Sequence, residues 1–415
     1  MKLSEKLQEI ERQIGLPKPQ KEPSSHKQEL LGIPGQVKSV ELGQFFLRET
    51  SFPLDHPCGE DQLGALLEHS ATSLRLLCSD QRIAELDFRK AVFLDVETTG
   101  LVGGTGTYAF LVGVGGFDSS GFSIRQYFMR DFDEEMAMLS GLNDFLSPFT
   151  SLITYNGKRF DLPLLDTRYH LCRLGLSLKD PIHLDLLYPT RRLWSRRLPD
   201  CSLATVEKEI IKVIRKVDIP GWLIPSAYFR YITSAEQAYL PHIFEHNIQD
   251  ILTLVALAHK ACQAVESPLS AGVEYPHDLY SLGRIYDRAR DYSQSSHWYD
   301  QALNPQLSPD LKVDLLWRLS LACKRTGRWQ KAVSLWDEMV ASSDSLLPWV
   351  ELAKYYEHVA KDITSARKMV KEALSRLEIC LCTRDSEGRQ EKELLHRLSR
   401  LNRKVAGGSE PGELP

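Results

Sequence analysis

Long apolar runs are missing from this sequence. Its most apolar stretches, such as residues 108–114 and 251–258, fall far short of the ~20 residues that a helical membrane span needs. No early signal-peptide pattern is found either, because residues 2–12 form a charged stretch. Paired cysteines are absent as well. Cys58, Cys78, Cys172, Cys201, Cys262, Cys323, Cys380 and Cys382 are scattered, and no two form a CxxC pair. That excludes a disulfide framework or a zinc knuckle and leads to the expectation of buried thiols in a cytoplasmic protein. Charge of one sign is also lacking: 51 Lys and Arg stand against 55 Asp and Glu, for a formal net charge of −4. No global electrostatic argument for a nucleic-acid partner exists, although a local cluster of either sign remains open. What is present is 415 residues at 43% hydrophobic, enough for two or three domains with ample cores.

Leu3, Leu7, Ile10 and Ile14 recur at helical spacing, and the Pro-, Lys- and Ser-rich residues 16–27 read as a flexible linker, so residues 1–36 are expected to be a helix and tether. Residues 37–90 form a mixed lead-in segment, with a strand expected at 44–48 and a helix at 62–78. Residues 91–96 are a dense run of β-formers carrying an acid, the pattern of a central buried strand. Strands are expected at 108–115, 122–128, 151–155 and 183–187, and helices at 133–145, 162–174 and 239–265. This order predicts one α/β domain with a mixed sheet over residues 91–266. Helix formers then dominate from 275 to 405. Ala302, Met339 and Ala373 mark a weak period of 37 and 34 residues, which matches the tetratricopeptide unit of stacked helical hairpins. Residues 406–415 read as a disordered tail.

Three acid-bearing segments carry the chemistry. Asp95 and Glu97 end the expected central strand, and residues at i and i+2 project to one side. Two acids so placed raise each other's pKa unless a cation lies between them, and a hard divalent ion suits all-oxygen ligands. Asn156 and Gly157 turn the chain after a strand and deliver Phe160 and Asp161, where an acid commonly starts a helix. His246 and Asp250 stand one helical turn apart and share a face.

A strand DxE, a later NxxxFD and a final HxxxD, in that order, resemble the three motifs of the DEDD exonuclease superfamily on a ribonuclease H-like fold. The middle motif is most similar to that of family B DNA polymerase exonuclease domains. The stretches Phe93-Leu94-Asp95-Val96-Glu97-Thr98-Thr99-Gly100-Leu101, His183-Leu184-Asp185-Leu186-Leu187 and Asp218-Ile219-Pro220-Gly221 narrow the resemblance to YprB-type ribonuclease H-like proteins. That bacterial family pairs such a domain with C-terminal tetratricopeptide repeats. The histidine branch usually spaces its third motif HxxxxD, so His246 and Asp250 carry a histidine at the tyrosine-branch spacing.

The resemblance implies a 3′–5′ exonuclease acting on a DNA or RNA 3′ end, with Asp95, Glu97, Asp161 and Asp250 holding two Mg²⁺ or Mn²⁺ ions and His246 as the general base. Thr98, Thr99, Leu101, Asn156 and Phe160 would meet the terminal nucleotide. The helical repeats would bind substrate or a protein partner, and no membrane is involved. An endonuclease on the same fold and a non-catalytic nucleic-acid-binding scaffold are the alternatives. Asp185 reads as a supporting residue. Arg191, Arg192, Arg196 and Arg197 around Trp194 either follow a nucleic-acid backbone with a stacked base or form a helix end over a buried Trp.

Overall fold

The computed structural model describes residue 30 and residues 32–100, 106–178, 180–215, 218–270, 272–305, 307–380 and 388–407. The expected N-terminal helix, Leu101, the glycine-rich residues 103–105 and the tail from 408 lie outside the described residues. The chain forms two compact units, Met1–Val273 and Glu274–Pro415.

The first unit is built on a seven-stranded sheet. Its strands are β1 (Gln36–Val40), β2 (Gly43–Phe52), β5 (Ala91–Thr98), β6 (Ala109–Phe117), β7 (Phe122–Phe128), β8 (Ser151–Thr154) and β9 (Ile182–Asp185); β3 (Pro57–Cys58) and β4 (Asp61–Gln62) make a separate ribbon. The order is β1-β2-β7-β6-β5-β8-β9, antiparallel except that β5, β8 and β9 run parallel. Helices α1 (Glu135–Leu146), α2 (Asp161–Leu171), α3 (Leu187–Trp194), α4 (Leu203–Val206), α5 (Ile224–Ser234) and α6 (Leu240–Glu266) flank it. This is the ribonuclease H-like architecture, a mixed sheet between helices.

β5 is central because its first four residues, Ala91, Val92, Phe93 and Leu94, are buried and tolerate cover on both faces. All nine residues of β6 are buried as well. The lead-in segment contributes the hairpin β1–β2, whose second strand pairs with β7 and extends the sheet. The helix expected at 62–78 does not form. Two 3₁₀ turns, Leu63–Glu68 and Ser73–Leu76, stand in its place. Between them the Ser70 hydroxyl accepts from the Thr72 N–H and bonds the Thr72 hydroxyl at 2.8 Å, so side chains take backbone groups that a continuous helix would use.

In the second unit, helices pair as Pro276–Arg288 with Tyr292–Gln301, Pro309–Arg325 with Trp329–Ser342, and Leu347–His358 with Ile363–Cys380; Gly388–Gly407 packs on the last. Gly283 lets the first pair close, since a Cβ there would meet the Tyr299 ring at 2.4 Å. Trp336 is fully buried and donates its indole N–H to the Ser320 hydroxyl at 2.8 Å.

Candidate active site

The strand β5 ends beside α6, and the contact is set by a glycine. Asp95 is the register partner of Gly113 on β6, so both point to the same face. A Cβ at Gly113 would meet the Asn247 carboxamide oxygen at 2.1 Å and Ile251 at 2.6 Å. Its absence lets α6 settle on the sheet. Asn247, fully buried, then donates to Asp95 Oδ2 at 2.8 Å, while its own oxygen accepts from the buried Gln126 at 2.9 Å.

One turn of α6 brings His246 and Asp250 to the same place. The ligand atoms of Glu97, His246 and Asp250 all lie within 4.8 Å of one another, the one such metal-competent group among the described residues. His246 Nε2 is 3.5 Å from Asp250 Oδ2 and 3.9 Å from Glu97 Oε1. The short HxxxD spacing therefore still carries the imidazole to the carboxylates. Its other nitrogen, Nδ1, donates to Asp218 Oδ1 at 2.7 Å.

Burial, then the neighbouring charge of Asp250, pushes the Asp95 carboxyl above its ordinary range. Burial and Asp95 do the same to Glu97, and burial followed by Asp95 and Asp185 to Asp161. For His246, burial acts against the charged form, yet the Asp218 hydrogen bond and the charges of Asp250 and Glu97 prevail and raise it to about 10. The cluster is thus short of positive charge. Arg215 answers part of that shortage by donating to Asp250, while its guanidinium also grips Glu207 at 2.5 and 2.8 Å and Asp218 at 3.2 Å. Glu207 starts a π-helical turn (Glu207–Ile211) and also accepts from the Thr253 hydroxyl on α6.

Asp161 is the first residue of α2, delivered by a loop that Asp185 organises. The Asp185 carboxylate accepts backbone N–H groups from Asn156 at 2.7 Å, Lys158 at 3.1 Å and Leu187 at 3.1 Å. Asn156 takes the left-handed conformation at φ 64°, which an asparagine tolerates better than most residues. Asp185 is a supporting residue by this geometry. Thr98 spends its hydroxyl donor on the Gly100 carbonyl at 2.7 Å, and the Thr99 hydroxyl accepts the Tyr108 N–H at 2.9 Å. Phe160 stands 47% exposed at the start of α2. Trp194 is buried, which removes it as a stacking surface, while Arg191 of the same helix end stays exposed.

Sequence reasoning passed over Asn247, Arg215, Glu207 and Gln126 altogether. Asp218 lay in a stretch quoted for its resemblance but was given no role. The available signal was a polar residue inside such a stretch.

Residues 92–262 match the RNase H superfamily family model. The uncharacterized protein YprB of Bacillus subtilis (strain 168) is 31% identical over 368 residues, covering 87% of this chain and 86% of YprB. A family B DNA polymerase from the hyperthermophilic archaeon Pyrobaculum calidifontis aligns with 55% of this chain at 15% identity and a TM-score of 0.33; the chain spans only 29% of that polymerase, and so loose a likeness carries no argument. Among the described residues no helix is long and apolar enough to cross a membrane. With nearly a third of its residues shared across most of both chains, the protein belongs to the YprB family and carries an RNase H superfamily domain.

Proposed function

We propose that this protein is a metal-dependent nuclease of the DEDD kind that removes nucleotides from 3′ ends. The carrying observation is the meeting of Glu97, His246 and Asp250 within 4.8 Å, with Asp95 and Asp161 in electrostatic contact with that group. Membership of a superfamily that is generally nucleolytic supports the same reading.

The residues fit divalent cations. Burial, and after it the like charges that crowd them, raise the pKa values of three of the carboxyls, and Arg215 donates to Asp250 alone among the four acids. An acid-rich, oxygen-dominated donor set with one imidazole suits Mg²⁺ or Mn²⁺. Asp95, Glu97, Asp161 and Asp250 would hold two such ions, which supply neutralisation of the charge that develops on a phosphodiester under attack.

The protein's own groups do the rest. Asn247 holds Asp95 in one orientation through its hydrogen bond. Asp218 keeps the proton of His246 on Nδ1, so Nε2 is the atom that exchanges a proton at the reacting phosphate. Neutralising Asp250 and Glu97 would withdraw part of the charge that keeps His246 protonated and so favour Nε2 as a base, while the Asp218 hydrogen bond stays in place. Phe160, exposed beside Asp161, offers a face to the terminal base; the Asn156 side chain and the Thr99 hydroxyl proton offer polar contacts to its sugar.

The second unit we read as tetratricopeptide-like repeats over 275–405 that engage a protein partner or the substrate. Its paired helices beginning at Pro276, Pro309 and Leu347 support this. The direct test is the Asp161→Asn protein: folded and still binding oligonucleotide, it should lose cleavage of single-stranded DNA and RNA in Mn²⁺. Unchanged turnover would remove Asp161 from the site.

A further inference from the structure

We propose that Lys158, Tyr188 and Arg191 form a track for the single-stranded part of the substrate beyond the carboxylate site, an inference that rests on the nuclease reading above. The loop before Asp161 and the start of α3 are one clamped piece, because the Asp185 carboxylate holds the N–H groups of Asn156 and Lys158 on one side and of Leu187 on the other. Two aromatic rings stand out from this piece, Phe160 and Tyr188, each 47% exposed. Each has a cation beside it: Arg159 at 6.0 Å from the Phe160 ring and Lys158 Nζ at 5.9 Å from the Tyr188 ring. Arg191 follows Tyr188 by three residues on α3, hence on the same face, and is exposed. It borders a cavity of about 550 Å³ shared with Ser195, Asp200 and Ser202. The Asp200 carboxylate is tied to the Ser202 N–H at 2.8 Å and the Thr205 hydroxyl at 2.7 Å.

Exposed rings interleaved with cations fit a chain of planar bases joined by anionic phosphates. Stacking accepts any base, and each phosphate met by a cation releases a counterion. An acidic peptide would use the cations and leave Tyr188 idle. Leading from Asp161 through Phe160 to Tyr188 and Arg191, the track gives the enzyme a grip on several nucleotides of single strand.

The test is fluorescence anisotropy on the full chain in EDTA, with labelled oligothymidylates and oligouridylates of two to ten nucleotides. Wild-type affinity should rise with length. Tyr188→Ala should weaken the ten-mer about 5- to 150-fold, the range of one lost base stack, and Tyr188→Phe should restore it. Lys158→Ala with Arg191→Ala should reduce the salt slope by about 1.4, two phosphates' worth for a single strand. Wild-type affinity and slope in these variants would overturn the track, as would polyglutamate displacing the ten-mer equally well from the wild-type and Tyr188→Ala proteins. Wild-type cleavage in Mn²⁺ is scored separately. Cleavage with unaffected variant binding sinks the track and leaves the nuclease; Tyr188-dependent binding without cleavage does the reverse. Absence of binding at every length sinks both.

Discussion

The carboxamide of Asn247 fills the space that a side chain on Gly113 would take, 2.1 Å from where its Cβ would lie. Since Gly113 pairs in register with Asp95, this single absence lets the helix bearing His246 and Asp250 reach the strand bearing Asp95 and Glu97. Gly113→Ala should therefore strike twice. Overpacking should cost about 1–3 kcal/mol in denaturant unfolding. Turnover in the surviving folded protein should fall by about 10²-fold, because the acids no longer converge. An alanine protein as stable and active as wild type would show that the approach is not required.

Arg215 is the counter-ion of a buried acid. Glu207 is only 4% exposed and takes two hydrogen bonds from the guanidinium. Arg215→Met should destabilise the protein by about 3–5 kcal/mol, since it leaves Glu207 charged and unpaired. Adding Glu207→Gln should recover part of that loss. Additive losses in the double-mutant cycle would mean the two residues do not act on each other.

Asp185 supports the loop through three backbone N–H groups, and the proposed ion ligands do not include it. Asp185→Ala leaves three backbone N–H groups without their acceptor and should cost about 1–3 kcal/mol for each that stays buried and unsatisfied. Turnover should fall at least about 10-fold as Asp161 loses its placement. Mn²⁺ should still raise the unfolding midpoint, as an ion that binds only the folded form does. Loss of that rise in the Asp185→Ala protein, with the rise intact in wild type, would make Asp185 a ligand.

His183 gives the fold a pH dependence of known sign. Burial, aided by the charge of Lys158, lowers its pKa from 6.5 to about 3, and its Nε2 bonds the Thr154 hydroxyl at 2.9 Å. The folded imidazole stays neutral between those values while the unfolded one takes a proton. Its contribution is full above pH 6.5 and is lost as pH falls towards 3, by up to ~1.4 kcal/mol per unit. Asp95, with a raised pKa, titrates in the opposite sense, so the comparison must be wild type against His183→Gln. The difference in stability between the two should change across this window. A constant difference would contradict the neutral, buried imidazole.

The parts of this molecule that a sequence shows are those written in periodicity. β5, β6 and β7 are dense runs of β-formers, and α6 repeats its apolar residues over seven turns, so their places could be read directly. That His246 and Asp250 share one face of α6 follows from helical geometry, while their expected role rests on the resemblance of the three motifs. The edge strand β1 is polar and half-exposed, which blurs its alternation, whereas β2, with Phe45, Phe46 and Leu47 buried, is legible at 44–48. Ser70 and Thr72 break the expected helix through side-chain bonds that periodicity does not register. Arg215 and Glu207 meet only because a π-helical turn and an irregular segment bring them under α6. Such pairing depends on tertiary packing, and no local spacing encodes it.

The central claim is that the carboxylates around His246 cut phosphodiester bonds from the 3′ end. Its most direct test is product length from 5′-labelled and 3′-labelled single strands of DNA and RNA, in Mn²⁺, Mg²⁺ or EDTA, beside the Asp95→Ala protein. A descending ladder from the 5′ label, immediate release of a labelled nucleotide from the 3′ label, and silence in EDTA and in the variant are the predicted results. Internal cuts, or no metal-dependent cleavage by a protein that still binds the strand, would contradict it.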